Sequence, residues 1–555
     1  MALMPEATSV LIVGGGPCGL TLAIELGRRG VEAVLIDAKP GTAVSPQANA
    51  TQARTMEHFR RLGFADEVRA LGLPKDYPTD IAYFTRYGGV ELARFRLPPA
   101  RQAQTLARSL TGSWSTAELP HRISQKYVEQ VLQRHAIAQQ TVDVHYGWRL
   151  EDFIEEADGV TARIRNAERG EWHTLKADYL IGVDGARSTV RRKLNIRYGG
   201  ETGVVRDFFG GKMVAVYLRA PEFYKALPHE PAWMYWSFNP TRRAWLAAIN
   251  GKDEFALHTQ LKPGEDETDM SERRARELFS QVCAIPLRIE VLAVDTWIAG
   301  HALVAERFGG GRVYIGGDAA HLFTPAGGLG YNTAVEDAVN LAWKLHATLC
   351  GTAGQELLSS YVFERRKLAL RNTGYARRLA ASIGDFVPHP QLESDTPEGA
   401  AARRAAGEYL NDHARREFNI PGITFGGRYD GSPVIIADGT PLPEDASNVY
   451  APTASPGGRP PHIWLEDGRS LFDTFGSEWT LLQLGGEAAN AEPLCRAAKA
   501  SGVPLQLVSL VSPAARSAYE ADLTLIRPDQ IVAWRGNGPV HDCEQIWRRL
   551  LGHCM

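Results

Sequence analysis

Ser9-Val10-Leu11-Ile12-Val13-Gly14-Gly15-Gly16-Pro17-Cys18-Gly19-Leu20 decides the fold of this 555-residue chain. An apolar run of buried-strand type meets a G-x-G-x-x-G turn (Gly14, Gly16, Gly19) and continues into the helix-like run Leu20 to Leu26. The first glycine permits a tight turn, the second lets a pyrophosphate reach the backbone, and the third lets helix and strand pack closely. Pro17 suits the first helical position, and the helix amino end faces phosphate charge. A second apolar run, Ala33-Val34-Leu35-Ile36, ends in Asp37, about 20 residues on, where a carboxylate can accept ribose hydroxyls. Strand, turn, helix, strand and terminal acid together predict a dinucleotide-binding βαβ unit.

The rest of the composition narrows the class. Lys and Arg total 61 against 64 Asp and Glu, a net charge of -3, and no block of five basic residues occurs. Neither nucleic acid nor an anionic membrane is an expected partner. No run of about 20 apolar residues argues for a membrane span. The apolar amino-terminal run follows Glu6 and carries the nucleotide turn, so it reads as core and not as a signal peptide. Six cysteines (Cys18, Cys283, Cys350, Cys495, Cys543, Cys554) lack C-x-x-C or metal-ligand spacing, so reduced thiols, a cytoplasmic location and no metal site are expected. Cys18, near a helix amino end, is the thiol whose pKa that position can lower, although a small residue is also what the turn accommodates.

Two further units follow the same grammar. Ala177-Asp178-Tyr179-Leu180-Ile181-Gly182-Val183-Asp184-Gly185 is a strand breaking at Asp-Gly into the helix-like Thr189 to Leu194. Arg312-Val313-Tyr314-Ile315-Gly316-Gly317-Asp318-Ala319-Ala320-His321 is a strand ending in Gly-Asp. It runs through Pro325-Ala326-Gly327-Gly328-Leu329-Gly330-Tyr331-Asn332 into an amphipathic helix, Ala334 to Thr348. A second glycine-rich backbone at a helix start suits a polar, partly anionic ring system.

These three motifs in this order resemble the class A flavoprotein aromatic hydroxylases, in particular the phenol, chlorophenol and hydroxyphenylpropionate hydroxylases and the aromatic polyketide hydroxylases. The resemblance is strong over about the first 380 residues. It implies that Gly14, Gly16, Pro17 and Gly19 hold the FAD pyrophosphate, Asp37 the adenosine ribose and Asp318 the ribityl chain. Asp184 would stand near FAD and the reduced nicotinamide. Pro325, Gly328, Leu329, Gly330 and Asn332 would present the isoalloxazine edge, with backbone donors able to stabilise the reduced flavin. Gln125 matches a glutamine that contacts FAD, and Arg54 resembles a position beside the cofactor. Only one complete G-x-G-x-x-G unit of this kind occurs, so NADPH or NADH would dock transiently, and molecular oxygen would give a flavin C4a-hydroperoxide that hydroxylates an electron-rich ring.

Phenolate is more nucleophilic than phenol, so a base or acceptor is expected within about 3 Å of the substrate hydroxyl. Simple phenol hydroxylases carry an acid where this chain has Asn49, and an amide cannot take that proton. Deprotonation then falls to another group or to solvent. Tyr235, His301 and Tyr217 are the candidates in the substrate region; Pro325 is placed at the reacting edge, and His321 at the flavin or merely supporting its turn. Runs such as Met213 to Leu218 and Ala244 to Ile249 read as sheet strands, and Trp233, Tyr235, Trp236 and Phe238 alternate enough to send some rings toward a pocket, although such a stripe is more often core.

The expected fold class is α/β: a Rossmann-like FAD-binding domain with an inserted β-sheet substrate domain and a C-terminal thioredoxin-like domain. The FAD domain is assigned to 1–74, 121–204 and 301–384, the substrate domain to 75–120 and 205–300, a helical segment and linker to 385–460, and the last domain, without C-x-x-C, to 461–555. The activity expected is an NAD(P)H-dependent hydroxylation of a phenolic ring, ortho to its hydroxyl, by an enzyme that is compatible with a homodimer. Baeyer-Villiger insertion, oxidative decarboxylation or dehydrogenation on the same scaffold is the alternative. Halogenation is disfavoured because Trp233-Met234-Tyr235-Trp236-Ser237-Phe238 does not match the Trp-x-Trp-x-Ile-Pro motif. A flavin-binding protein without catalysis is the third reading, disfavoured by the complete cofactor motifs.

Overall fold

A computed structural model describes residues 4–202, 208–266, 268–485 and 490–553; the expected boundary at 204–205 and Cys554 lie outside the described residues. Val313–Ile315, Trp172–Gly182, Ala7–Val13, Ala33–Asp37 and Val142–Tyr146 lie side by side in that order as a parallel sheet. Val10, Leu11, Ile12, Leu35, Ile36, Leu180 and Ile181 are wholly or almost wholly inaccessible, because they share one core with the helices Pro17–Gly27 and Gln125–Ile137 and with the strands Trp148–Glu155 and Val160–Asn166. The helices Pro17–Gly27 and Gly330–Leu349 pack together on one face. Registers Val13 with Ile36, Val13 with Gly182 and Ile315 with Gly182 align the strand ends. Asp37, Asp184 and Asp318, distant in sequence, therefore all follow the carboxyl ends of adjacent parallel strands, where ligands of open α/β sheets bind.

A second sheet takes strands from two separated stretches. Its order is Glu290–Ala299, Gly211–Arg219, Glu254–Gln260, Arg243–Ala248, Met234–Phe238, Ile81–Phe84 and Glu91–Phe95. The pleat divides it into two faces. One face, with Phe84, Tyr235, Leu246, Phe255, Leu257 and Val216, packs with Leu278, Phe279 and Val282 of the helix Glu272–Cys283. The other carries Tyr83, Trp236, Phe238, Trp245 and His258, joined by Phe208 and Phe209.

Two long helices, Gln355–Gly384 and Pro397–Phe418, run to the second sheet, and the chain then crosses without helix or strand from 426 to 470, apart from one isolated bridge. The last unit is a four-stranded sheet, Leu505–Ser509, Trp479–Gln483, Leu523–Ile526 and Val532–Gly536, with its first pair parallel and the others antiparallel, flanked by Glu492–Ala500 and Cys543–Leu550. Among the described residues no helix is long and apolar enough to cross a membrane.

Two buried charge clusters tie this unit to the first sheet's helices. Glu364 accepts from Arg527 Nη1 (2.7 Å) and Nη2 (2.9 Å), Lys344 Nζ (2.7 Å) and Ser432 Oγ (2.7 Å). Glu57 accepts from Arg459, Arg54 (3.0 Å) and Thr116 (2.7 Å). Burial alone would raise the Glu57 carboxyl, but Arg459 and Arg54 outweigh it and hold it at about 2. A carboxyl depressed in the folded state stabilises fully above its unfolded value near 4.5, and that contribution is lost as pH falls toward 2. Removing one partner of a dry pair leaves an uncompensated charge, so Arg527→Met should lose about 3–5 kcal/mol of unfolding free energy. An unchanged urea midpoint would contradict that role for the cluster.

Candidate active site

The glycine turn is built by sterics. Gly14 has φ +122°, and a Cβ there would lie 2.3 Å from Val183 O; a Cβ on Gly19 would lie 1.9 Å from Gly14 O. Gly16 differs, because a Cβ there would meet nothing within 4 Å. That empty side is the one a pyrophosphate needs. Gly16 caps the helix Pro17–Gly27 without a side-chain hydrogen bond, and no acid lies in its first turn, so the amide dipoles face a site suited to an anion. Gly15 N donates to Asp37 Oδ2 (2.6 Å) and Lys39 N to Oδ1 (2.7 Å), which locks the carboxylate beside the turn.

Asp184 accepts from Thr189 N (2.6 Å) and Val190 N (3.3 Å) through Oδ2, while Oδ1 is buried without a partner. Burial raises its carboxyl despite those bonds. Asp318 is exposed at its turn, yet desolvation by the surrounding protein also raises its carboxyl, with His321 opposing. His321 itself turns inward: its Nε2 lies 2.7 Å from Asp337 Oδ2, and Gly317 N donates to the same oxygen (3.0 Å). The ring thus supports the turn, the second of its two expected roles. Cys18 packs against Gly317, and burial pushes its thiol well above the ordinary range, so the helix position does not make it a thiolate.

At the far end, Gly327 (φ +70°) and Gly328 (φ +62°) turn the chain into the helix Gly330–Leu349. Asn332 ties this loop to the segment after Asn49: Oδ1 accepts from Gln52 N (2.9 Å), and Nδ2 donates to Ala50 O (3.0 Å) and Gly328 O (2.6 Å). Gln52 Nε2 donates to Gly327 O (2.7 Å). Asn49 Oδ1 is buried and unpartnered. Gln125 N donates to Ala48 O (2.7 Å), and its side chain to Glu129 (2.8 Å) and Gln47 (3.3 Å). Ala50, Ala326 and Leu329 fall in the large apolar cluster that holds both faces of the second sheet, and Glu417, which accepts from Gly327 N, lies near enough to Tyr83 to raise its hydroxyl, so the loop meets the aromatic face.

Several expected site residues sit elsewhere. Tyr235 is fully buried on the opposite face of its strand, against Phe84, Tyr87 and Phe223, where its hydroxyl accepts from Ala232 N (2.8 Å) and burial pushes it up to about 12. The strand pleat turns it away from Trp236, which corrects its assignment as a catalytic candidate. Arg54 spends its donors on Glu57, Gln530 and the carbonyls of Asp529 and Gln530, which corrects the expectation of a cofactor contact: it holds the C-terminal unit. Tyr217 is held by Lys126 and Glu254, and His301 pairs with Thr202 (2.9 Å).

Two residues escaped the sequence reading. Arg122 is 7% exposed, lies over Trp233 at 4.6 Å, and takes no hydrogen bond or ion pair among the described residues. Glu417, on Pro397–Phe418, accepts from Gly327 N (3.0 Å). Neither stands in a motif; a cation three residues before Gln125 was the only local sign.

Residues 7–375 match the family model described as FAD binding domain, and 453–554 match the aromatic-ring hydroxylase C-terminal domain. A putative polyketide hydroxylase of Streptomyces halstedii is 31% identical over 96% of this chain and 94% of its own. RebC with bound 7-carboxy-K252c is 33% identical, with TM-score 0.89 over 99% of this chain and 100% of that one. Aklavinone-11 hydroxylase, in a ternary complex with FAD and aklavinone, is 27% identical, with TM-score 0.81 over 99% of this chain and 100% of that one.

The open side of Gly16, the uncapped helix end and the orphaned Asp184 Oδ1 fit an FAD at this site. Gly16→Val should therefore fold, with an unchanged circular dichroism spectrum, yet purify without flavin. Retention of stoichiometric flavin would refute the placement. Tyr235→Phe should lose about 1 kcal/mol of stability from its hydrogen bonds to Ala232 N and Tyr77 while kcat/KM with any aromatic substrate changes less than about threefold; a loss of about a hundredfold, roughly 2.7 kcal/mol in the barrier, would return Tyr235 to the chemistry.

Proposed function

The chain belongs to the FAD-dependent aromatic-ring hydroxylases, and from that premise we propose that it hydroxylates a planar phenolic substrate of two or more rings, ortho to the hydroxyl, using NAD(P)H and molecular oxygen. The observation that carries this reading is the aromatic face that the Gly327–Gly328 loop meets. Trp236 and Trp245 lie 5.3 Å apart, Phe209 stacks on Trp245 at 4.9 Å, and His258 on its other neighbour side at 4.7 Å. Extended, near-parallel rings of this kind favour a flat aromatic ligand through offset stacking. Among the similar structures, RebC holds 7-carboxy-K252c and aklavinone-11 hydroxylase holds aklavinone.

Bound FAD supplies the redox chemistry and the activation of oxygen. The chain's own residues bind, orient and exclude water. In this reading the Gly14 to Gly19 turn and Asp37 hold the nucleotide half, while Gln125, Asp184 and Asp318 line its middle. Pro325, Leu329, Gly330 and Asn332 shape the loop at the reacting end, with Asn332 fixing that loop through its three hydrogen bonds. Tyr83 Oη and Trp236 Nε1 are buried without partners on the substrate face and offer donors to oxygen atoms of a ligand. Burial keeps His258 neutral, holding it down at about 4, so the ring acts as a stacking surface and not as a charge.

The purified yellow protein should consume NADPH or NADH and oxygen faster with polycyclic phenols, such as hydroxyanthraquinones and hydroxynaphthalenes, than with phenol itself. The product should gain one oxygen atom. Phenol outperforming every fused-ring compound would overturn the substrate class. A product formed without oxygen consumption would replace hydroxylation with another flavin oxidation.

A further inference from the structure

Arg122 is a buried cation that makes no hydrogen bond or ion pair among the described residues, with Glu417 acting on it through space. Isolated charges are rarely retained in protein interiors without a partner, because desolvation costs several kcal/mol or more. Other buried arginines here obey that rule: Arg365, Arg459 and Arg527 each carry at least two hydrogen bonds to acids or carbonyls. Among the described residues Arg122 contacts the face of Trp233, at 4.6 Å, without a hydrogen bond, and Phe418 stands edge-on to the same ring at 6.2 Å.

Its position is set by the reacting end of the site. The preceding residue, His121, exchanges backbone hydrogen bonds with Thr51 (2.9 and 2.8 Å), within the segment that Asn332 and Gln52 fasten to the Gly327–Gly328 loop. Glu417, one residue before Phe418, reaches the same loop through Gly327 N (3.0 Å). Its other oxygen, Oε2, is buried; His413 Nε2 stands 2.7 Å away without forming an aligned hydrogen bond, and His413 Nδ1 lies 3.0 Å from Ser382 Oγ. A cation, a carboxylate and a histidine thus flank one corner of the Gly327–Gly328 loop.

We propose that Arg122 binds the reacting oxygen of the substrate and holds it as the oxyanion, with Glu417 receiving the proton. The O–H bond breaks, its electron pair stays on the oxygen beside the guanidinium, and the proton goes to Glu417 Oε2, next to His413 Nε2. The inference rests on the phenolic reading of the substrate given above. A preorganised cation aimed at developing negative charge in a water-poor site replaces part of what a strong base would do. The other titratable groups at this corner do not compete. Burial holds His121 down at about 3 and pushes Tyr83 well up, so both are neutral near pH 7. Burial also pulls the Arg122 guanidinium down, to about 10, with Glu417 opposing; it remains charged at neutral pH, and an oxyanion would restore its ordinary range.

The test uses flavin-loaded wild-type protein, Arg122→Met, Arg122→Lys and Glu417→Gln, each titrated with 2-hydroxyanthraquinone, a planar phenol whose colour reports its ionisation. In the wild type, the bound dye should ionise at least about tenfold more readily than the free dye, one pKa unit. Arg122→Met should abolish that shift, Arg122→Lys should keep most of it, and Glu417→Gln should slow hydroxylation with a changed pH profile, all at unchanged flavin content. Arg122→Met with the wild-type shift, or wild type that binds no dye or binds it unshifted, would overturn the assignment. Oxygen-dependent hydroxylation of the phenol panel separates the two readings. A shifted dye with no phenol hydroxylated leaves the oxyanion anchor standing and removes the proposed reaction; hydroxylation without a shift does the reverse.

Discussion

Everything at the cofactor end depends on one close approach, the helix Pro17–Gly27 lying against the turn at Gly14. A side chain on Gly19 would sit 1.9 Å from Gly14 O, and one on Gly14 would sit 2.3 Å from Val183 O. Because both are glycine, the strand Ala7–Val13 can stand next to Trp172–Gly182 while the helix amino end stays directly over their carboxyl ends. That contact aligns Asp37 and Asp184 with the turn, and Ile315 beside Gly182 carries Asp318 into the same row. A substitution at either position would displace backbone against backbone, which no rotamer change relieves.

The reacting end is assembled differently, by side chains spanning long sequence separations. Asn332 and Gln52 tie a helix start to a loop some 280 residues earlier, and Glu417 adds a third strap from a helix outside the cofactor fold. Aromatic rings of the second sheet then pack onto the same loop. The C-terminal part of the chain is joined by charge rather than by apolar surface alone: Arg459 and Arg527 place guanidinium groups on Glu57 and Glu364 in dry surroundings, and Arg54 reaches Gln530 and the Asp529 carbonyl.

Much of this was legible in the chain. Steric and electrostatic requirements of a phosphate turn leave local marks, so Gly14 to Gly19, Asp37, Asp184-Gly185 and Gly317-Asp318 are found in strings of a few residues. Pleat phase was not legible: Tyr235 and Trp236 are adjacent aromatics, and only the pairing of Trp236 with Trp245 and Tyr83 decides which ring faces the cofactor loop. Arg54 looked like a cofactor neighbour because its partners, Asp529 and Gln530, lie some 475 residues away. Arg122 and Glu417 carry no motif; their meaning comes from a buried cation without a hydrogen bond or ion pair among the described residues and from a carboxylate reaching Gly327 from a distant helix.

The most direct measurement of the central claim is the origin of the oxygen in the product. Turnover of a fused-ring phenol under 18O2 in ordinary water should place a single 18O in the ring position next to the original hydroxyl. Product carrying oxygen from water, or oxidised product with no new oxygen atom, would contradict the account of this chain as a flavin-dependent aromatic hydroxylase and leave its site to a different oxidation.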